Sequence, residues 1–258
     1  MTQIIADTAR AVSFLSRLPV PERFFDHRET VVADSARAYG IAGVVVALPA
    51  SLTLHVLLVL GLQPLFACAL AVTCLVVTTG ALHEDGLADC ADGFWGGRDR
   101  DGILVIMKDS TIGAYGALAL VLIMVLRVSG LAAIAAGSSA LATALALLAV
   151  AAASRAGMVW HWHTLPAAKA DGVAASAGRP DGDSMVFAVL SACGLVVVLG
   201  LASGGIAGVV TVLVLSALVC TGFSSIARNK IGGHTGDTIG ATQLVCEVAA
   251  LLGLALWV

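Results

Sequence analysis

Charge is scarce in this chain. Asp, Glu, Lys and Arg together make up 12% of the 258 residues, while 59% are hydrophobic. A soluble domain carries about 25% charged residues, so an ordinary water-soluble globule is excluded. Positive charge is not in excess either. The net charge of −3 excludes nucleic-acid binding as the main task, because that needs a basic face. Cysteines are few and solitary: Cys68, Cys74, Cys90, Cys193, Cys220 and Cys246 never form a CxxC pair. This argues against zinc and against disulfides, and the five that lie in apolar runs read as small buried side chains. The first residues lack the apolar core and small-residue cleavage site of a secretory signal, so the first apolar span is expected to direct insertion.

What the chain does have is a series of apolar runs of about 20 residues, the length that crosses a bilayer core. Candidate spans are 38–60, 64–92, 113–133, 138–160, 184–202, 205–225 and 236–257. Residues 2–18 precede them, with Ile4, Ile5, Val12, Phe14 and Leu15 set among Arg10 and Arg17 and a stop at Pro19 and Pro21, which reads as an amphipathic helix lying on the membrane. The expected fold is therefore an all-α polytopic membrane bundle of about seven helices, or six if the short break at Gly137-Ser138-Ser139 is not a turn. It forms a single domain over 1–258, with 1–30 as a cytoplasmic interfacial segment and 38–258 as the bundle.

The basic residues test that count. Arg10, Arg17, Arg23, Arg28 and Arg37 precede the first span, and Arg98, Arg100 and Lys108 follow the second. Arg155, Lys169 and Arg179 lie at or after the end of the fourth, and Arg228 and Lys230 lie before the last. The alternate connections carry none. By the positive-inside rule the N-terminus is cytoplasmic and the C-terminus external. Arg127, inside the third span, is the exception, and either snorkelling or an internal ion pair accounts for it.

The stretch His83–Gly93 places four carboxylates at the end of an uncharged run. If the helix of 64–82 continues through it, Asp85, Asp89 and Asp92 fall within about 60° of one another. Like charges so placed repel, and a cation would reverse that cost. Hard oxygen ligands favour Mg²⁺ or Mn²⁺ over zinc. The plainer reading is an acidic helix end in water. Gly86 and Gly93 favour the site, because each weakens a helix by about 1 kcal/mol and a closely approaching ligand would account for them.

Three further polar clusters fall on the same side. In Lys108-Asp109-Ser110-Thr111-Ile112-Gly113, Lys108 can neutralise a phosphate facing the free N–H groups of the next helix, although Asp109 or Ser110 could instead be an N-cap. Arg228–Asp237, with Gly232 and Gly233, reads as an anion loop at a helix start. Beyond it Asp237, Gly240, Gln243 and Glu247 share an arc of about 120°, and an interhelical hydrogen bond is the plain alternative for Glu247. Trp160-His161-Trp162-His163 reads as an interfacial belt, with Arg155 one turn earlier as a phosphate partner. Gly40/Gly43, Gly113/Gly116 and Gly204/Gly208 read as close helix packing, which permits a homodimer without demanding one.

Four strings in order, Arg17-Leu18-Pro19-Val20-Pro21, Glu84–Gly93, Met107–Ser110 with Gly113 and Gly116, and Gly232–Ala241, resemble the adenosylcobinamide-GDP ribazoletransferases, the cobalamin synthase family. The family often has an acidic or amide residue where Leu244 stands; here Gln243 comes one place earlier. The resemblance implies a Mg²⁺-dependent integral membrane enzyme that joins adenosylcobinamide-GDP to α-ribazole or its 5′-phosphate and releases GMP. On that reading Glu84, Asp85, Asp89 and Asp92 hold the metal, and Asp92 doubles as base. Lys108, Asp109, Ser110, Arg155, Arg228, Lys230, Gly232, Gly233, Thr235, Asp237 and Gln243 are the substrate-binding residues. Two other readings stand beside it. A CDP-alcohol phosphotransferase would show D-G-x-x-A-R, where this chain has Asp89 in place of the Arg. A cation transporter would want carboxylates near the bilayer midplane, for which only Glu247 qualifies.

Overall fold

The computed structural model describes residues 3–25, 31–169 and 173–258; Arg28 lies outside them. The helices are α1 (Gln3–Leu15), α2 (Tyr39–Val59), α3 (Pro64–Thr79), α4 (Leu82–Gly96), α5 (Arg100–Ile106), α6 (Ala114–Gly137), α7 (Ala140–Thr164), α8 (Val173–Ser176), α9 (Gly182–Ile231) and α10 (Gly236–Ala255). Among the described residues there is no strand, only a single bridge between Ala167 and His234.

Five of these helices are long and apolar enough to cross a membrane, and α3 with α4 makes a sixth, broken one. A straight α9 of 50 residues would run about 75 Å, far beyond a bilayer core of about 30 Å. It reverses at Gly205, whose φ of 58° and ψ of −162° are not helical. Three contacts show the reversal. Arg179, just before α9, donates to the His163 carbonyl, and Arg228 near its end reaches the Thr164 carbonyl. A Cβ on Gly200 would lie 3.5 Å from Val209. Counted as two arms, α9 raises the segments long and apolar enough to cross from five to six among the described residues, with α3 and α4 together as a broken seventh.

Helix α7 is the axis of the bundle, buried almost throughout from Ala142 to Trp162. Its alanine-rich face lets neighbours approach closely, the usual basis of packing between membrane helices. Gly43 of α2 has the Ala151 carbonyl and the stem of Arg155 where a Cβ would go, and Gly40 faces Ala192 of α9. The break before α7 is a true turn, because the Ser139 hydroxyl accepts from the Ala142 amide as N-cap.

The span expected over 64–92 is not one helix. Gly80 (φ 65°) and Ala81 (φ 58°) are both left-handed, which ends α3 and turns α4 by 90°. The acidic stretch therefore forms a separate helix lying across the end of the bundle. A side chain on Gly80 would meet Arg17, and the Arg17 amide donates to the Thr78 carbonyl at 2.8 Å, so the segment after α1 seats on this corner. Helix α1 is amphipathic: Ala11, Val12 and Leu15 face the bundle while Ile5 and Phe14 face out. Its buried Asp7 pairs with Arg10 and Arg37.

The Trp160–His163 belt is only partly a belt. Trp160 is exposed, but His161 is buried, its ring bonded to the hydroxyls of Ser224 and Thr238 at 2.8 and 3.0 Å, and the Trp162 indole donates to the Gly178 carbonyl.

Candidate active site

Each residue of α4 turns about 100° from the last, which sorts its polar side chains onto opposite faces. His83, Glu84, Leu87, Cys90 and Phe94 are buried, whereas Asp85 is exposed and Asp89 and Asp92 are partly so. The start of α10 completes the outer face. A Cβ on Gly86 would lie 2.7 Å from the Asp237 carbonyl oxygen, so the two backbones touch and Asp237 stands beside Asp85 and Asp89. Asp85 and Asp89 accept no hydrogen bond and pair with no cation among the described residues. Burial, followed by the charges of Asp237, Asp85 and Asp92, pushes the Asp89 carboxyl up to about 6.

Asp92 is differently placed. Its oxygens accept the amides of Gly113 at 2.7 Å and Gly116 at 2.9 Å, so it caps α6, as an anion at a helix start does. Each oxygen thus holds one backbone amide, a structural task that stands beside the metal-ligand and base roles expected of this carboxylate. A methyl group on either glycine would overlap that carboxylate, and on Gly116 it would also stand 3.0 Å from the Ala88 carbonyl. Gly116→Ala is accordingly expected to lower stability by about 1–3 kcal/mol. An unchanged unfolding midpoint of the purified variant would contradict this close approach.

Glu84 does not join the acidic face. It points into the bundle, where Arg127 Nη1 donates to its Oε1 at 2.7 Å and Arg127 Nε donates to Glu247 Oε1 at 2.8 Å. Gln243 Nε2 holds the other Glu247 oxygen at 2.6 Å and reaches Ser154 Oγ at 3.3 Å. The placement of Glu84 at the metal and of Gln243 at the substrate is thus corrected, since both serve an internal ion network. Arg127 is there by ion pairing and does not snorkel. Arg155, expected as a phosphate partner, is 1% exposed and donates to Ser154 at 3.2 Å; its burial puts it out of reach of a ligand at the acidic face.

The two loop clusters divide between binding and structure. Lys108 and Ser110 are exposed and make no side-chain bond among the described residues. Asp109 does not cap α6, whose N-cap is Gly113. It closes a turn on the hydroxyl and amide of Thr111 at 2.7 and 2.9 Å, bonds that hold its carboxyl below the ordinary range. In the second cluster Arg228 is exposed at the surface, and Lys230 Nζ donates to the Phe94 carbonyl at 2.7 Å, capping the end of α4. Gly232 (φ 75°) ends α9. Gly233 has the Pro166 carbonyl where a Cβ would go, and Thr235 caps α10 through the Thr238 amide at 3.2 Å while donating to Asp237 at 3.1 Å. Gly232, Gly233 and Thr235 therefore serve the loop and the start of α10 instead of cradling a phosphate directly. His234 is buried in the bridge, and burial, with the charge of Arg179, pushes its imidazole down to about 4.

The glycines of the acidic stretch are likewise explained by packing, Gly86 against Asp237 and Gly93 against Met107 and Ile103. One residue that the sequence marks only as basic does structural work: Arg100 donates to the carbonyls of Ile231 and Ala168, tying α5 to both loops.

Could a metal sit here? Among the described residues no three His, Cys, Asp or Glu side chains converge closely enough to chelate an ion as they stand. Mg²⁺ does not require that, because it is usually bound through one or two carboxylates plus substrate phosphates and water. Asp85, Asp89 and Asp237 are hard-oxygen donors without a cation of their own, so the donor set fits Mg²⁺.

Known proteins bear on this arrangement. The chain is 50% identical over 255 residues to an adenosylcobinamide-GDP ribazoletransferase of Sinorhizobium medicae, covering 97% of this chain and 96% of the relative. It is 48% identical to that of Rhizobium johnstonii over 96% of each chain, and 43% identical to that of Brucella ovis over 98% of this chain and 97% of the relative. No solved structure matches the chain. The family profile described as cobalamin-5-phosphate synthase matches residues 7–255, nearly the whole chain, and the chain belongs to the cobalamin-5-phosphate synthase family.

Proposed function

We propose that the chain is a membrane transferase that joins adenosylcobinamide-GDP to α-ribazole or α-ribazole 5′-phosphate and releases GMP, working at the outer face of α4. The observation that carries the site is the set of carboxylates on α4 and α10 that lack any cationic partner among the described residues, with Lys108 exposed and unbonded and Arg228 exposed and held only by a 3.4 Å bond to the Thr164 carbonyl. The reaction brings a ribazole hydroxyl to the corrinoid-side phosphorus of a diphosphate, a step that needs charge neutralisation, alignment and removal of one proton.

Asp85, Asp89 and Asp237 would hold Mg²⁺, which when bound supplies charge neutralisation at the diphosphate. Lys108 and Arg228 hold the phosphates of the nucleotide end. Asp89, the more enclosed of the two unpartnered carboxylates on α4, takes the proton of the attacking hydroxyl at its carboxylate. Asp92 fixes the start of α6, and with it the Lys108 loop, over the acidic face. Incubating the purified protein with adenosylcobinamide-GDP and α-ribazole tests the reading: GMP release that stops on chelation of divalent metal is expected. Release of CMP from a CDP-alcohol would favour the phospholipid-type transferase, and neither release would return the transporter reading.

Since Lys108 and Arg228 meet a diphosphate charged in both ground and transition states, their contribution is mainly uniform binding. Lys108→Ala and Arg228→Ala are expected to raise KM for adenosylcobinamide-GDP about tenfold, roughly 1.4 kcal/mol, with kcat nearly unchanged. Steady-state kinetics of both variants check this, and unchanged constants would leave the two loops as topogenic charges only.

The active end carries Arg98, Arg100, Lys169 and Lys230, so the positive-inside rule places it in the cytoplasm and Val258 outside, in the inner membrane. Single cysteines at 98, 169 or 230 in a cysteine-free background are expected to stay unlabelled by an impermeant thiol reagent on intact cells, while one at 258 reacts. The reverse pattern would invert the topology.

A further inference from the structure

We infer that Arg127 is a positioning residue that sets the acidic face of α4 through Glu84, an assignment that rests on the metal site proposed above. One guanidinium on α6 bonds Glu84 of α4 and Glu247 of α10 at once, and these are the two helices that carry Asp85, Asp89 and Asp237. Glu84 immediately precedes Asp85. Because neighbours on a helix point about 100° apart, drawing Glu84 inward to Arg127 turns Asp85 outward.

The far end of the same face is held by the same helix. The Gly113 and Gly116 amides of α6 grip Asp92, so α6 fixes α4 on both sides of Asp85 and Asp89, the carboxylates left without partners. Between the two grips Gly86 rests on the Asp237 backbone, which couples the roll of α4 to the start of α10. Gln243 holds the second oxygen of Glu247, keeping that arm from rotating. Arg155, buried on α7 beside the network, brings the charges of Arg127, Arg155, Glu84 and Glu247 to zero. The planar fork of an arginine spans two carboxylates at once, which a lysine cannot do.

Purified wild type and variants, with adenosylcobinamide-GDP present and α-ribazole withheld, are titrated with Mn²⁺ while free Mn²⁺ is read by electron paramagnetic resonance against the same substrate without protein; thermal unfolding and steady-state kinetics are measured on the same samples. Glu84→Leu is expected to weaken Mn²⁺ binding by about 10–100-fold, the usual loss when a group that orients a ligand is removed. It should also lower kcat while leaving KM for adenosylcobinamide-GDP within about threefold. Glu84→Gln keeps an oxygen for Arg127 Nη1 and is expected to restore Mn²⁺ binding to within about threefold of wild type. Should Glu84→Leu fail to accumulate, Arg127→Lys carries the same test, because it keeps the charge but loses the span, and the same direction of loss is expected. A Glu84→Gln protein as impaired in Mn²⁺ binding as Asp85→Asn would make Glu84 a ligand and overturn the assignment. Wild-type affinity in folded Glu84→Leu or Arg127→Lys would reduce the network to a fold-holding role and overturn it too. A wild type that binds no Mn²⁺ at all would instead refute the metal site itself.

Discussion

Asp85→Asn and Asp89→Asn are each expected to lower kcat by a factor of about 10²–10³ while the protein still accumulates in the membrane. The size follows from removing one preorganised charged group at a reacting phosphate, about 2.7–4 kcal/mol of transition-state stabilisation. The second half of the statement follows from the structure. Neither carboxylate makes a bond that folding would miss, and both sit among like charges, so replacing either with an amide removes repulsion without opening a hole. Turnover per milligram of membrane protein, compared with the amount and the unfolding midpoint of each variant, measures both halves. Near-normal turnover in either variant would remove the acidic face of α4 from the chemistry, and loss of the protein itself would mean that these residues hold the fold.

The second large effect is the opposite kind. Arg127→Leu is expected to destabilise the bundle by about 3–5 kcal/mol, because removing one partner of a buried ion pair leaves the others uncompensated. Here Glu84 and Glu247, 5% and 2% exposed, would both lose their cation. That is a large share of the roughly 5–15 kcal/mol by which folded proteins are usually stable, so the variant should accumulate poorly and unfold at lower temperature. Restoring neutrality with Glu247→Gln in the same chain should recover part of the loss. If Arg127→Leu unfolds as the wild type does, the bonds to Glu84 and Glu247 are not what stabilises this part of the bundle.

The passes of the chain were legible because each needs only a long apolar run, and the basic connections marked the polar end independently. The bend before α4 was not. Gly80 is a recognisable helix end, but Ala81 at φ 58° has no signature, and without that second left-handed residue the apolar run appears to continue into the acidic stretch. The direction of Glu84 was lost for a related reason. In E-D-G-L-A-D the two acids stand side by side, and only the helical angle between them, together with an arginine 43 residues away, shows that one faces in and the other out. Glu247 finds the same arginine across 120 residues, a separation at which sequence spacing carries no information. The glycines illustrate a subtler gap. Gly86, Gly93 and Gly233 marked close approaches correctly, yet the approaching group is backbone or side chain of this same chain in every case.

Arg155 and Gln243 were drawn toward the substrate by their position near the polar end, and burial places both behind α4 instead. Asp237 moved the other way. Grouped in the sequence with an anion loop, it lies beside Asp85 and Asp89 because Gly86 has no side chain to keep α10 away. The site was therefore legible as a set of residue types and only partly as a shape.

The most direct test of the account is GMP release by the purified protein, given adenosylcobinamide-GDP and α-ribazole, across a Mg²⁺ titration in wild type and Asp237→Asn. The account predicts saturable, chelator-sensitive release in the wild type, and in the variant a much lower rate that rises at higher Mg²⁺. Release that is indifferent to Mg²⁺, or equal in the two proteins, would contradict an active site built where the acidic face of α4 meets the start of α10.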